Sequence, residues 1–262
     1  MANRHGDFVW YELMTSDADA AQEFYSGLFD WSFEDGSLNG VDYRSFKVGE
    51  TAVGGLLQLQ PDMVDQGARP CWVGYIRVEN VPAAVARAKD SGATALMEDG
   101  EVPDVGPFAM LHDPEGAMFY VIDDRSGTES EAFSTHEARD GTCAWNELMA
   151  GDPEAVKKFY GEQFGWVVAD SMDMGDMGAY DMLKNGADGD FMFGGLMRRP
   201  PTMPVSMWTF YFRVPDIDDA VGYVKDNGGE IFNDPMEVPG GEFCINGMDP
   251  QGAMFSVIGK RV

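Results

Sequence analysis

A chain of 262 residues, 44% hydrophobic and 12% aromatic, is long enough for two domains that each bury a core, and it is not a disordered polymer. Its 45 acidic against 18 basic residues leave a formal net charge of -27. That balance excludes the phosphate backbone of nucleic acid and the anionic surface of a membrane as partners, and it suits a saline environment.

No apolar run reaches the ~18 residues of a membrane span, and MANRHGDFVWYEL shows no basic segment leading into an apolar stretch. Cys71, Cys143 and Cys244 are odd in number and scattered, which reads as free thiols in a reducing compartment. A cytoplasmic location is expected. In chain order, Phe8 to Met14 is a strand rich in apolar and aromatic side chains. Ser16 or Asp17 can cap a helix in which Ala21, Phe24, Tyr25 and Leu28 fall at helical spacing. Trp72 to Val78 is another strand. Pro82 suits the first turn of a second helix, with Val85 and Ala88 inward and Gly92 as its stop. Short strands follow each helix, and Asp113-Pro114-Glu115-Gly116 marks a hairpin. The polar stretch 124–141 has no sustained apolar period and reads as a linker. Beyond it, Asp152-Pro153 opens a helix carrying Val156, Phe159 and Tyr160, while Ile217, Val221 and Val224 line another that ends at Gly228.

The second half repeats the first. WYELM at 10–14 returns as WNELM at 145–149, and Phe29-Asp30-Trp31 as Phe164-Gly165-Trp166. Gly54-Gly55-Leu56 returns as Gly194-Gly195-Leu196, and DPEGAMF at 113–119 as DPQGAMF at 249–255. Matches at so nearly constant an offset are an internal duplication. The expected domains are therefore 1–123 and 142–262. Each contains the order strand, helix, about three strands, twice over.

These motifs resemble the vicinal oxygen chelate superfamily of glyoxalases, bleomycin-resistance proteins and extradiol dioxygenases, in particular its tandem glyoxalase-like members. The resemblance covers roughly 7–123 and 142–259. It implies an α+β fold of two tandem domains, each of paired βαβββ modules forming an open cupped sheet. It does not select a reaction, because the superfamily hosts many. It also implies metal-ligand positions, which fall at Trp10, Gly55, Val73 and Tyr120 in the first half. In the second they fall at Trp145, Gly195, Thr209 and Ser256. None is His, Asp or Glu. Only His5, His112 and His136 exist, in the tail, beside a turn and in the linker. No metal and no cofactor are expected on these grounds.

Strand alternation places Glu12 on the face of Trp10, and Glu147 on that of Trp145. Tyr75 and Arg77 share a face, as do Tyr211 and Arg213, and Tyr120 joins the first set. Glu12 and Glu147 are thus candidate acid–base residues. Trp10, Tyr75, Arg77, Tyr120, Trp145, Tyr211 and Arg213 are candidate ligand-binding residues. The alternative for each Glu and Arg is a structural ion pair, and for each Trp a place in the core. Phe24, Tyr25, Phe159 and Tyr160 read as packing. The Gly-Gly pairs lack a following GK[ST] and read as sites of close backbone approach. SMDMGDMGAY, with Met172, Met174 and Met177, is a lid or a solvated loop. Its acidic residues, with Asp188 and Asp190, lack calcium-loop spacing.

The expected function is binding of a small apolar or aromatic ligand in an enclosed cup, without the usual divalent ion. The alternative is a lyase- or isomerase-type enzyme acting on a small carbonyl or aromatic compound. In that case Glu12 or Glu147 serves as acid–base or as an unusual metal ligand. The expected oligomeric state is monomer or homodimer.

Overall fold

The computed structural model describes residues 3–38, 40–135, 137–201 and 203–262, so His136 lies outside the described residues. The first half runs β1 (Phe8–Thr15), α1 (Ala18–Phe29), β2 (Ser32–Leu38), β3 (Val41–Val48), β4 (Thr51–Gln58) and a short α2 (Pro61–Asp65). It continues with β5 (Cys71–Arg77), α3 (Val81–Asp90), β6 (Thr94–Val102), β7 (Gly106–His112) and β8 (Met118–Ile122). The second half runs β9 (Cys143–Ala150), α4 (Pro153–Phe164), β10 (Trp166–Asp173), β11 (Ala179–Asn185) and β12 (Met192–Arg198). Then come β13 (Met207–Asp216), α5 (Ile217–Asp226), β14 (Glu230–Ile231), β15 (Met236–Val238), β16 (Glu242–Met248) and β17 (Met254–Lys260).

Strand order is β2-β3-β4-β1-β5-β8-β7-β6 in one sheet and β10-β11-β12-β9-β13-β17-β16-β14 in the other, with β15 on β16. Each sheet is open and mixed. In both, the first strand of a module pairs in parallel with its last, as β1 does with β4 and β13 with β17. No helix among the described residues is long and apolar enough to cross a membrane.

Local chemistry sets the helix ends. Asp17 accepts from Ala20 N at 3.1 Å, Asn80 from Ala83 N at 2.9 Å, and Asp152 and Asp216 cap α4 and α5 likewise. Each satisfies an amide that the helix itself leaves unpaired. The residue after α1 is Asp30 at φ 56, and the matching residue after α4 is Gly165 at φ 77. The segment SMDMGDMGAY is a β10–β11 hairpin with a 3-10 turn at Gly175–Met177, so Met172 lies in a strand paired with Tyr180.

The chain packs as two compact units that interleave the repeat. One comprises Met1–Val9, Gly74–Ser130 and Trp145–Trp208, and the other Trp10–Val73, Glu131–Ala144 and Thr209–Val262. Side-chain bonds account for this. In the second unit Tyr25 of α1 donates to Asp249 at 2.9 Å and accepts from Trp72 Nε1 at 3.2 Å. In the first, Tyr160 of α4 donates to Asp113 at 3.1 Å and accepts from Trp208 Nε1 at 2.9 Å. The F-Y helix of each half therefore closes on the D-P-x-G turn of the other half. The other oxygen of each Asp holds its own turn, on Glu115 N and Ala117 N or on Gln251 N and Ala253 N. Burial pushes both tyrosines well above their ordinary range, and the neighbouring carboxylates add to it. Burial likewise raises Asp113 and Asp249.

Aromatic packing fills each core. Trp31 stacks on Phe46 at 4.0 Å and gives its indole N–H to Gly141 O in the second unit. Trp166 stacks on Tyr160 at 5.1 Å and bonds Gly6 O in the first. The interleaving segment is anchored as well. Ala132 and Phe133 are buried, Phe133 bridges Cys143, and Arg139 reaches Val48 O at 2.8 Å.

Candidate functional site

Tyr11 on β1 turns its ring onto Phe210 and Phe212 of its own unit, so Trp10 and Glu12 face the other way. There Trp10 Nε1 donates to Tyr43 OH at 2.8 Å, and the Tyr43 hydroxyl is hydrogen-bonded to the Glu12 carboxylate. Glu12 is 1% exposed. The second half builds the same chain: Trp145 Nε1 donates to Tyr180 OH at 2.7 Å, and Tyr180 OH donates to Glu147 Oε2 at 2.8 Å. Burial and then the Glu12 charge push the Tyr43 hydroxyl well above its ordinary range, so it remains a donor. Burial and the same carboxylate push the Cys71 thiol up to about 12, which removes it as a nucleophile near neutrality.

The Gly-Gly pairs make this chain possible. A Cβ on Gly55 would stand 2.0 Å from Tyr43 OH, and one on Gly195 would stand 2.3 Å from Tyr180 OH. Each tyrosine lies across a glycine of the intervening strand to reach its carboxylate. The neighbouring Gly54 serves the opposite face, where a Cβ would strike the Phe46 ring at 1.9 Å. Strand alternation put Trp10 on the face of Glu12 and Trp145 on that of Glu147, but Tyr43 and Tyr180, which link each pair, were not among the residues it singled out. A signal existed, since each half carries one Tyr shortly before its GGL motif.

The remaining sequence-derived candidates lie on other strands. In the first unit Tyr75 and Tyr120 are register partners whose rings stack at 4.1 Å and 14°, with Phe108 edge-on to Tyr120 at 5.7 Å. The Arg77 backbone bonds Gly6 and Asp7. In the second unit Tyr211 pairs in register with Ser256, and Arg213 forms an ion pair with Glu242.

The eight positions implied by the family resemblance supply indole, isopropyl, phenol and hydroxyl groups or no side chain at all. Both nearby carboxylates accept a tyrosine. Among the described residues no three His, Cys, Asp or Glu side chains converge. This donor set does not fit a divalent metal.

Comparison with known proteins agrees with the duplication. Residues 10–122 match the family model of the glyoxalase-like domain, and residues 142–257 that of the glyoxalase/bleomycin resistance protein/dioxygenase superfamily. A Mycobacterium bovis protein named "Putative glyoxylase CFP32" is 31% identical over 258 residues, 97% of this chain and 95% of the relative. The anthracycline biosynthesis protein DnrV of Streptomyces peucetius is 29% identical over 265 residues, 97% of this chain and 93% of its own. Among solved structures, the Mn(II)-bound glyoxalase of Novosphingobium aromaticivorans has a TM-score of 0.64 at 17% identity, over 98% of this chain and 83% of that one. Homoprotocatechuate 2,3-dioxygenase of Brevibacterium fuscum has 0.67 at 14%, over 100% and 82%. At such identities the structural likeness is one of fold.

Proposed function

Because the chain belongs to the glyoxalase/bleomycin resistance protein/dioxygenase superfamily, we propose that it binds a small, apolar or aromatic ligand with one polar group in its cupped sheets, without the usual divalent ion. The observation that carries this reading is the repeated Trp–Tyr–Glu chain. A buried carboxylate that accepts a phenol hydrogen bond is held in place by a charge-assisted interaction. Ligation of a metal would have to displace that bond. Trp10, Trp145, Tyr75 and Tyr120 supply apolar and π surface and Arg77 supplies the orienting charge, the usual make-up of a small-molecule pocket, whereas the charge of Arg213 is already matched by Glu242. Relatives named for anthracycline biosynthesis support an aromatic ligand, since an anthracycline is a polycyclic aromatic compound.

The test joins elemental analysis of protein purified without chelator to a tryptophan-fluorescence titration with small aromatic carboxylates and phenols. Saturable quenching by at least one compound, with less than a tenth of an equivalent of metal, is the expected result. One metal per domain, lost on Glu12→Gln or Glu147→Gln, would sink the reading.

A second reading draws on the same Tyr–Glu pairs. A buried phenol beside a carboxylate can pass a proton, which is what a lyase or isomerase acting on a small carbonyl or aromatic compound requires of its acid–base group. Under that reading Glu12→Gln and Glu147→Gln keep ligand binding and lose turnover. We take 1–123 and 142–262 as the duplicated domains, joined by 124–141. We further take the protein as a cytoplasmic monomer or homodimer whose partner is a small molecule, not nucleic acid or a membrane. Sedimentation equilibrium separates monomer from dimer.

A further inference from the structure

Three of the 18 methionines, Met172, Met174 and Met177, crowd into one short stretch of the second half. The corresponding hairpin of the first half, residues 32–48, carries none. A side chain that serves the architecture recurs in both copies, as Trp10 and Trp145 do, whereas this trio belongs to one. Packing does not account for it either. Met172 and Met177 are 37% and 47% exposed, although methionine is among the residue types most often buried.

The β10–β11 hairpin sets where the three side chains stand. Its ladder runs to Asp173 opposite Ala179, and Met174 N extends it by donating to Gly178 O at 2.8 Å. Alternation along that stretch puts Met174 on the face of Met172. The chain then turns through Gly175–Met177, where Met177 N donates to Met174 O at 3.4 Å. Residues three apart in a 3-10 turn eclipse one another, so Met177 comes over Met174. The turn is held from within, since Asp173 accepts from Gly175 N at 2.9 Å. A Cβ on Gly175 or Gly178 would meet nothing within 4 Å, and both residues are exposed. The tip is uncovered.

Thioether sulfur is a soft, polarizable donor. Hard ions such as calcium and manganese prefer carboxylate and water, while thioethers suit Cu(I). The surroundings favour a cation of any kind. Asp170, Asp173 and Asp176 lie in the same hairpin, no Lys or Arg falls between 166 and 183, and the chain carries a net charge of -27.

We propose that the tip of the β10–β11 hairpin is a binding site for a soft monovalent cation of the Cu(I) type, ligated by the sulfurs of Met172, Met174 and Met177. The site is independent of any ligand held by the cupped sheets. Neutral thioethers exchange their ion readily, so protein purified without added copper is expected to be free of it.

The experiment uses the full chain with carbon-13-labelled methionine methyl groups, titrated with Ag(I) as a redox-stable probe. A parallel anaerobic titration sets Cu(I) in competition with bicinchoninate. One equivalent of Ag(I) should shift the Met172, Met174 and Met177 methyl signals, assigned from the single Leu variants, and Zn(II) should leave them in place. The triple variant Met172→Leu/Met174→Leu/Met177→Leu nearly conserves volume. It should melt as wild type does and bind Cu(I) about tenfold more weakly or worse. Unmoved methyl signals in the wild-type protein overturn the proposal whatever the variants do, and that outcome includes metal taken only by Cys71, Cys143 or Cys244. Equal Cu(I) affinity of the triple variant and wild type overturns it as well. Equal shifts with Zn(II) would mean that Asp173 and Asp176 hold the ion, and the soft-cation assignment falls.

Discussion

Tyr43 and Tyr180 show how much can depend on one hydroxyl. Removing it as Tyr43→Phe leaves the Trp10 indole without its acceptor and takes one donor from a carboxylate that is 1% exposed. The cost of such a change is about 1–3 kcal/mol. Urea unfolding should show it, with a shift in tryptophan emission, and an unchanged midpoint would refute a structural role for the chain. The glycines under these tyrosines are equally constrained. Gly55→Ala puts a methyl group 2.0 Å from Tyr43 OH and should cost about 1–3 kcal/mol through displaced packing. The same assay reads it. A further residue-scale prediction concerns Asp113, which burial raises above its ordinary value. The folded state then holds a proton that the unfolded state has lost, so the Asp113 contribution to stability falls as pH rises through that window. The stability difference between wild type and Asp113→Asn should therefore decline from pH 4 upward and level off above the folded pKa. A difference that grows with pH would contradict the buried-acid assignment.

At the scale of the element, caps and motifs were largely legible in the sequence, and the third strand of each module was not. Asp17, Asp152 and the D-P-x-G turns announce themselves through local chemistry, because an N-cap or a hairpin is decided within a few residues. Alternation likewise put Glu12 beside Trp10. Tyr43 escaped because its partners lie on β1, two strands away, and the register that brings it there is a non-local property of β3 and β4. The α1 terminus offers a test of local reasoning. Asp30 takes a left-handed conformation that Gly165 takes in the other half. Left-handed backbone costs most side chains about 1–2 kcal/mol, and Asp somewhat less. Asp30→Gly should accordingly stabilise the protein by about 0.5–1 kcal/mol. A lower midpoint in denaturant would show that the Asp30 side chain has a role of its own.

For the whole molecule, the net charge of -27 implies self-repulsion that salt relieves. Raising NaCl from about 0.1 to 1 M shortens the screening length from about 10 to 3 Å, so the melting temperature should climb by several degrees. A flat or falling trend would mean that paired charges such as Lys157–Asp181 outweigh the repulsion. The repeat itself was legible, but its interleaving was not. Tyr25 can meet Asp113 or Asp249 with the same local sequence around either, and only the assembled structure selects the distant one.

That selection sets a timetable for synthesis. The second unit takes strands from Trp10–Val73 and from Thr209–Val262, so the earliest of them must wait until residues 209–262 have left the ribosome. At about 5–20 residues per second the delay is on the order of ten seconds. During it Phe24, Tyr25 and Phe29, all buried in the finished protein, stand beside a growing chain without the residues that will cover them. A nascent chain stalled before Asp249 should therefore engage chaperones more than the completed protein does.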